Sequence, residues 1–533
     1  MARALEELNE AELLGLALAL GAENIGHFAP AEAELAGRAR GVTPALVREA
    51  RDRVRAGEDP LGARLCALRT PLERRERGAV YSPDAIVRAM TAWASTRRAV
   101  RIVDPGVGSG RFLLAAARAF PRAELVGIDT DPFAALLVRA ALAANGFARR
   151  ARVVLGDFRR VTVPASSGPT LFLGNPPYVR HHSLAADDKQ WLVECAREAG
   201  LRASALAGLH AHFFLATSRS ARPGDFGAFV TAAEWLDVNY GALVRALFLE
   251  RLGGVALHLI EPAARPFADA ETTAVVACFA VGERPKALRF RTVASSAVLG
   301  ALGGGRLVAR ERFEQSTRWT ALVRRAPARP ADHVELGELF AVHRGQVTGD
   351  NATWIDAEGS TLPDRVRFAA VTRAKELFVA APVLHELAPL RRVIDLPAEL
   401  EELTPSERRR VDAFLRAARS RGVHRGFIAQ HRRAWWSVGL RAPAPILATY
   451  MARRPPAFVR NPAGARHLNI AHGLYPREPL GEAVLDALTR YLNAHATLTG
   501  GRTYSGGLTK FEPREMERLV VPSLDALREQ CRP

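Results

Sequence analysis

Residues 171–178 read Leu-Phe-Leu-Gly-Asn-Pro-Pro-Tyr, and their two adjacent prolines restrict the fold more than any other stretch of the chain. Each proline fixes its own φ and removes a backbone donor, so neither Pro176 nor Pro177 can lie inside a sheet. The apolar residues before them read as the end of a buried strand, and Gly174 lets the chain turn out of it. Asn175 to Tyr178 therefore fall at a strand's carboxyl end, where open α/β sheets carry their ligands. Carbonyl oxygens, a side-chain amide and an aromatic face are crowded into four residues. Such a set suits a planar base carrying an exocyclic amino group. The Asn175 oxygen and the Pro176 carbonyl would accept its two N–H hydrogens, and Tyr178 would stack on the ring. A lone Pro-Pro-Tyr would be a turn with a packed tyrosine; the preceding strand and Gly-Asn favour a site.

Around this stretch, residues 79–285 alternate short apolar runs with helical segments, the pattern of a parallel, doubly wound sheet. The expected strands are 99–104, 124–129, 151–157, 170–174, 227–232, 255–260 and 273–281, giving a seven-stranded, Rossmann-like α/β domain. Residues 1–78 read as a helical region rich in Ala, Leu, Glu and Arg. The Gly303–Gly305 run and Pro-rich residues 326–331 mark 286–330 as a linker. Residues 331–533 read as a second, mixed α/β domain.

Three of the expected strands end in acids. Arg101-Ile-Val-Asp104-Pro105-Gly106-Val-Gly108-Ser-Gly110 is a strand, a Gly-rich turn and a helix start, whose glycines let backbone N–H groups approach a ligand. The strand ends in Asp-Pro and not in the first Gly of a dinucleotide fingerprint, which favours a ligand with an ammonium group for Asp104. Val126-Gly-Ile-Asp129 ends the next strand at the position that pairs with ribose hydroxyls. Gly156-Asp157-Phe158 ends the third, with an acceptor for an amino group beside an aromatic. Upstream, Tyr81-Ser82-Pro83 opens a helix, with Ser82 as N-cap and Pro83 at the first helical position; its free N–H groups would hold a carboxylate.

The order Tyr-Ser-Pro, Asp-Pro-x-x-Gly-Ser-Gly, Gly-Ile-Asp, Gly-Asp-Phe, Gly-Asn-Pro-Pro-Tyr resembles the gamma-class DNA adenine-N6 methyltransferases of restriction–modification systems over roughly 79–285. Ser82 stands where that family usually has Thr, and Gly106-Val107 where Ala-Cys is common. The resemblance implies S-adenosylmethionine as methyl donor, with Asp104, Asp129 and Asp157 as its main side-chain contacts and Phe213 lining its adenine. It implies that Asn175, Pro176, Pro177 and Tyr178 grip a base extruded from duplex DNA, and that Phe267 packs against that base. It makes residues 331–533 a target-recognition domain. Within it, Val342-His-Arg344-Gly345-Gln-Val-Thr348-Gly349-Asp-Asn351 and Gly501-Arg502-Thr-Tyr504-Ser-Gly-Gly507-Leu-Thr-Lys510 resemble segments that contact DNA.

Charge agrees with such a partner. The chain has a formal net charge of +18, which points to a polyanion. Between 408 and 466 there are 14 Arg against one acid, Asp412, a bias better explained by a phosphate backbone than by a solvated face. Thr404 and Glu407 form a capping box for a helix that turns Val411, Phe414, Leu415 and Ala418 to one side and Arg408, Arg409 and Arg410 largely to the other. Arg432 and Arg433 precede Trp435 and Trp436, which read as core.

The four scattered cysteines, with no CxxC pair, predict a reducing compartment and no metal. Neither a signal peptide nor an apolar run long enough to span a bilayer is visible, so the expected location is cytoplasmic, away from membranes. A separate restriction endonuclease is a possible partner. Methylation of RNA or of a protein glutamine amide is an alternative for the Asn-Pro-Pro-Tyr set, and a catalytically silent DNA-binding specificity subunit is another. The large basic second unit disfavours the former, and the intact Asn175–Tyr178 set the latter.

Overall fold

The computed structural model describes residues 5–70, 73–74, 78, 81–261, 273–294, 298–300, 302–323, 330–356, 361–452, 454–498, 501–504 and 508–531. They form two compact units, one through residue 323 and one over 330–504 and 508–531.

The first unit is built on one sheet. Its strands are β1 (Arg101–Asp104), β2 (Glu124–Asp129), β3 (Ala151–Leu155), β4 (Thr170–Gly174), β5 (Phe226–Ala232), β6 (Gly254–Ile260), β7 (Ala274–Ala280), β8 (Ala287–Val293) and β9 (Arg306–Ala309). They lie in the order 3-2-1-4-5-7-6-8-9. The five strands β3-β2-β1-β4-β5 run parallel, and β7 is antiparallel to both its neighbours. The chain steps outward from β1 to β3 and then returns to place β4 on the other side of β1. That reversal opens a crevice at the carboxyl ends of β1 and β4, the natural ligand position of such sheets. All four residues of β1 and all seven of β7 are buried, the run of apolar residues a doubly covered sheet requires.

Two expectations need correction. Among the described residues the sheet has nine strands and not seven. The extra two come from 286–330, which is not a linker: β8 pairs parallel with β6, and β9 closes the edge. Trp319, 1% exposed, then packs edge-on to Trp235 and Phe313 and donates its indole N–H to the Phe313 carbonyl. Burial of Leu288, Phe290, Val308, Phe313 and Trp319 outweighs the glycine and arginine content that suggested an open tether.

The helices Glu10–Ala19, Pro30–Ala36, Pro44–Ala56 and Pro60–Leu68 belong to the same unit. Their apolar residues share one core with the helix Pro132–Ala144 that follows β2. A buried ion pair fastens them: Arg139 meets Glu32 at 2.7 Å, the two side chains 2% and 0% exposed. Arg139 also donates to the carbonyls of His27 and Val153.

The second unit holds a four-stranded antiparallel sheet in the order Phe340–Arg344, Ala471–Pro476, Ile446–Thr449, Phe458–Arg460. The helix Glu482–His495 packs on it through Val484, Leu485, Leu488 and Leu492. The helix Pro405–Ser420 is capped by Thr404, buries Ala418, and places Val411 and Leu415 in a separate core with Trp354. Trp435 and Trp436 pack at the margin of that core.

Candidate active site

A cavity of about 320 Å³ opens at the carboxyl ends of β1 to β4. Its walls include Tyr81, Ser82, Pro105, Gly106, Gly108, Asp129, Asp157, Phe158, Asn175, Pro177 and Phe213, residues drawn from segments far apart in the chain. The local sequence explains how each arrives there. The turn after β1 is held open by the Val107 N–H on the Ile128 carbonyl and the Gly108 N–H on Asp129 Oδ2 at 2.8 Å. Gly110 caps the helix Arg111–Ala119 at φ 94°, and a Cβ there would meet Val138 at 2.6 Å. Gly106 faces Phe213 and Pro177, each 3.7 Å from where its Cβ would be, so any side chain would narrow the cavity.

The three acids stand in different states. Asp104 is 1% exposed, and neither carboxylate oxygen closes a side-chain hydrogen bond. Burial pushes its pKa up to about 8; the nearby backbone N–H groups of Gly106 and Leu113 act the other way. It lies behind the wall, next to Gly174, where a Cβ would come within 2.6 Å of Oδ1. Gly174 is therefore required for this close approach, and its φ is not in the left-handed region, so the turn expected of it is not what it supplies. Asp129 is raised by burial, against the N–H groups of Asp131 and Gly108 that it accepts. Asp157 is also pressed upward by burial, but Arg159 outweighs that and lowers it. The Arg159 guanidinium lies 2.6 Å from Asp157 and 2.7 Å from Asp188. Beside it the Phe158 and Phe213 rings are 5.6 Å apart.

Ser82 does not cap the following helix. The cap is Pro83 and the helix runs Asp84–Ala94, one residue later than expected. Ser82 is instead 4% exposed and accepts the Asn175 Nδ2–H at 3.0 Å. That bond fixes the amide plane and turns its oxygen to the opposite end. The Tyr178 N–H donates to the Gly78 carbonyl at 3.0 Å, anchoring the segment after the prolines. The Tyr178 side chain packs against the main core and does not line the cavity; nor do Pro83, Gly110 and Pro176. Phe267 lies outside the described residues.

Sequence reasoning missed part of the wall. Gly62, Leu65, Cys66 and Arg69 line the cavity from the N-terminal helices. Asp59 caps the helix Pro60–Leu68 and accepts the Ser109 hydroxyl at 2.5 Å, tying that helix to the Gly-rich turn. Arg69 pairs with Asp131, and the Arg111 guanidinium sits 4.0 Å over the Tyr81 ring. The Asp59-Pro60 cap signal was readable; its partner fifty residues on was not.

The residues expected to meet DNA divide by how the fold uses them. Gly345 is held by packing, since a Cβ would strike the Leu468 carbonyl at 2.2 Å. Thr348 is 4% exposed and donates its hydroxyl to Asn351. Gly349 adopts φ +77°, against Ile428. Arg432 donates to the Val347 and Thr348 carbonyls. Gly345, Thr348 and Arg432 thus serve the loop's own architecture. Arg344 and Lys510 converge on the Tyr450 ring, 5.2 and 5.6 Å from its centroid. Arg408 is paired with Asp412 and Glu401, and Arg433 with Glu399, while Arg409 and Arg410 are exposed. Arg502 begins a short strand, Arg502–Tyr504; its side chain is outside the described residues. Among the described residues, no group of His, Cys, Asp and Glu could hold a metal ion, and no helix is long and apolar enough to cross a membrane.

A mostly parallel sheet reversed between β1 and β4, with a Gly-rich turn beside a cavity at its strand ends, is the fold of the class I methyltransferases. Residues 391–532 match the family described as Type II methyltransferase M.Eco57I, C-terminal domain. The chain is 52% identical over 471 residues to Type II methyltransferase M.XamI of Xanthomonas campestris pv. amaranthicola, covering 88% of each. It is 21% identical over 490 residues to Type II methyltransferase M.AccI of Acinetobacter calcoaceticus, covering 86% of this chain and 88% of that one. The solved type IIL restriction-modification enzyme MmeI, in complex with DNA, shares the fold with a TM-score of 0.53 at 13% identity, over 90% of this chain and 76% of that one. The chain belongs to the type II methyltransferases, the DNA methyltransferases of restriction–modification.

Proposed function

We propose that the chain methylates N6 of adenine in a specific sequence of duplex DNA, with S-adenosylmethionine as donor and the target base swung out of the helix. The observation that carries this reading is the Asn175 amide, oriented by Ser82 beside Pro177 and Gly106 on the cavity wall. The donor set fits the cofactor. Asp104 is a buried acid without a side-chain partner, which burial keeps protonated near neutral pH, and a cationic ammonium beside it would favour its ionised form. Asp129 would meet the ribose hydroxyls, and Asp157 with Phe158 and Phe213 the adenine. Tyr81 and Ser82, on the same cavity wall, would lie near the cofactor's carboxylate. When bound, S-adenosylmethionine supplies an electrophilic methyl group.

The rest is done by the chain. The amino nitrogen of adenine is a weak nucleophile because its lone pair is delocalised into the ring. Acceptance of its two hydrogens by the Asn175 oxygen and the Pro176 carbonyl favours a pyramidal nitrogen with its lone pair aimed outward, an effect of positioning and electrostatics. Tyr178, whose ring packs on the core here, would have to turn toward the cavity to stack on the extruded base, with Phe267 as the proposed second wall. The second unit, which includes the segment matched by the M.Eco57I C-terminal family, supports duplex DNA over RNA or a protein amide as substrate. A separate endonuclease that cuts the unmethylated sequence would complete the system.

The test is base-modification sequencing of genomic DNA from cells expressing the chain, beside an Asn175→Ala variant. The expected result is N6-methyladenine at one short motif with the wild type and none with the variant, which still binds S-adenosylmethionine within about threefold. Modified cytosine, or undiminished methylation by the variant, would overturn it.

A further inference from the structure

Phe427 is 73% exposed, the one aromatic among the large apolar side chains left at the surface of the described residues. Its position is fixed. The His431 ring lies 4.1 Å from the Phe427 ring at 34°, and His431 Nδ1 is 2.7 Å from the Phe427 carbonyl oxygen. The next residue, Ile428, presses on Gly349, where a Cβ would come within 2.9 Å of it. Arg432 clasps the carbonyls of Val347 and Thr348 and lies over Trp354. The loop 345–351 and the segment 427–432 are thus one piece, with Phe427 and the 37% exposed Val347 at its surface. Its surroundings are mostly cationic: from Asp412 to Glu478 the chain contains no other acid, and Arg421 and Arg425 are exposed, while Arg433 is paired with Glu399 and the loop itself carries Asp350.

We infer that Phe427, braced by His431, stacks on bases of the DNA substrate while the arginines around it engage phosphates. A single braced ring in an arginine-rich field is too small an apolar patch for a stable protein interface. It matches a polyanion whose interior is a column of aromatic faces. The inference rests on the assignment of DNA as substrate.

The full chain carrying Phe427→Ala or Phe427→Trp is titrated with mixed-sequence genomic duplex DNA, and separately with heparin, a polyanion without bases. Because stacking neutralises no phosphate, Phe427→Ala should weaken duplex binding roughly five- to a hundredfold with the salt slope unchanged. Heparin affinity and thermal unfolding should not move. Phe427→Trp should restore duplex binding, and its added fluorescence should be quenched by duplex and not by heparin. Unchanged duplex affinity of Phe427→Ala, or equal quenching by both polyanions, would overturn the inference. So would self-association of the wild type that Phe427→Ala abolishes, which would assign the ring to a second copy. Failure of the wild type itself to bind duplex would instead remove the DNA assignment.

Discussion

Asp104 carries a burial cost that a cationic ligand would offset. Its native pKa lies above its unfolded value, so between about pH 4 and 8 the native chain keeps a proton that the unfolded chain has released. The group therefore withdraws stability as pH rises through that window. A cationic ligand reverses the balance, because it favours the ionised form. Affinity for S-adenosylmethionine should rise several-fold from pH 6 to 7.5, and the rise should vanish in Asp104→Asn; equilibrium dialysis across that range would detect either outcome. Asp129, Asp157 and the Gly-rich turn were legible at the cavity because each motif is local, a strand followed within a few residues by an acid or a glycine turn. Arg159 was not, since its meaning depends on Asp188, and Asp188 sits on a different element. The neighbouring Pro83 suggests a cap for Ser82, whereas a residue 93 positions away decides its role.

At the scale of elements, the N-terminal helices are part of the catalytic unit and wall of its cavity. The Arg139–Glu32 pair sits at their junction with the sheet layer. Removing one partner leaves a buried charge without its counter-ion, so Glu32→Gln should lower the stability of this unit by about 3–5 kcal/mol. Urea unfolding followed by tryptophan fluorescence would register the loss, and a change below about 1 kcal/mol would deny the pair that weight. The strands of the sheet core were readable from apolar runs bounded by turn residues. β8 carries its own signal, the alternation of buried Leu288 and Phe290 with Arg289 and Arg291, but the glycines that follow suggest a tether. Composition over about forty residues concealed a period of two within one short strand.

For the whole molecule, the positive charge is informative only after its internal pairs are removed. Arg408 already has Asp412 and Glu401, while Arg409 and Arg410 on the same helix face solvent. Arg409→Gln with Arg410→Gln should flatten the dependence of log affinity on log salt by about 1–2, roughly 0.9 for each phosphate left without its arginine. Fluorescence anisotropy of non-cognate duplex between about 50 and 250 mM salt would measure it. An unaltered slope would move the phosphate track to another face. The sequence pattern located the basic half; which arginines are available required the acids that fold back on them.

The bond between Glu32 and Arg139 joins residues 107 positions apart. A ribosome adding about 5–20 residues per second takes roughly 5–20 seconds to make that span. Through that interval the leading helices emerge with their leucines uncovered and Glu32 without its counter-charge. A newly made copy should therefore be more aggregation-prone over this interval than after the helix Pro132–Ala144 has arrived to cover that core.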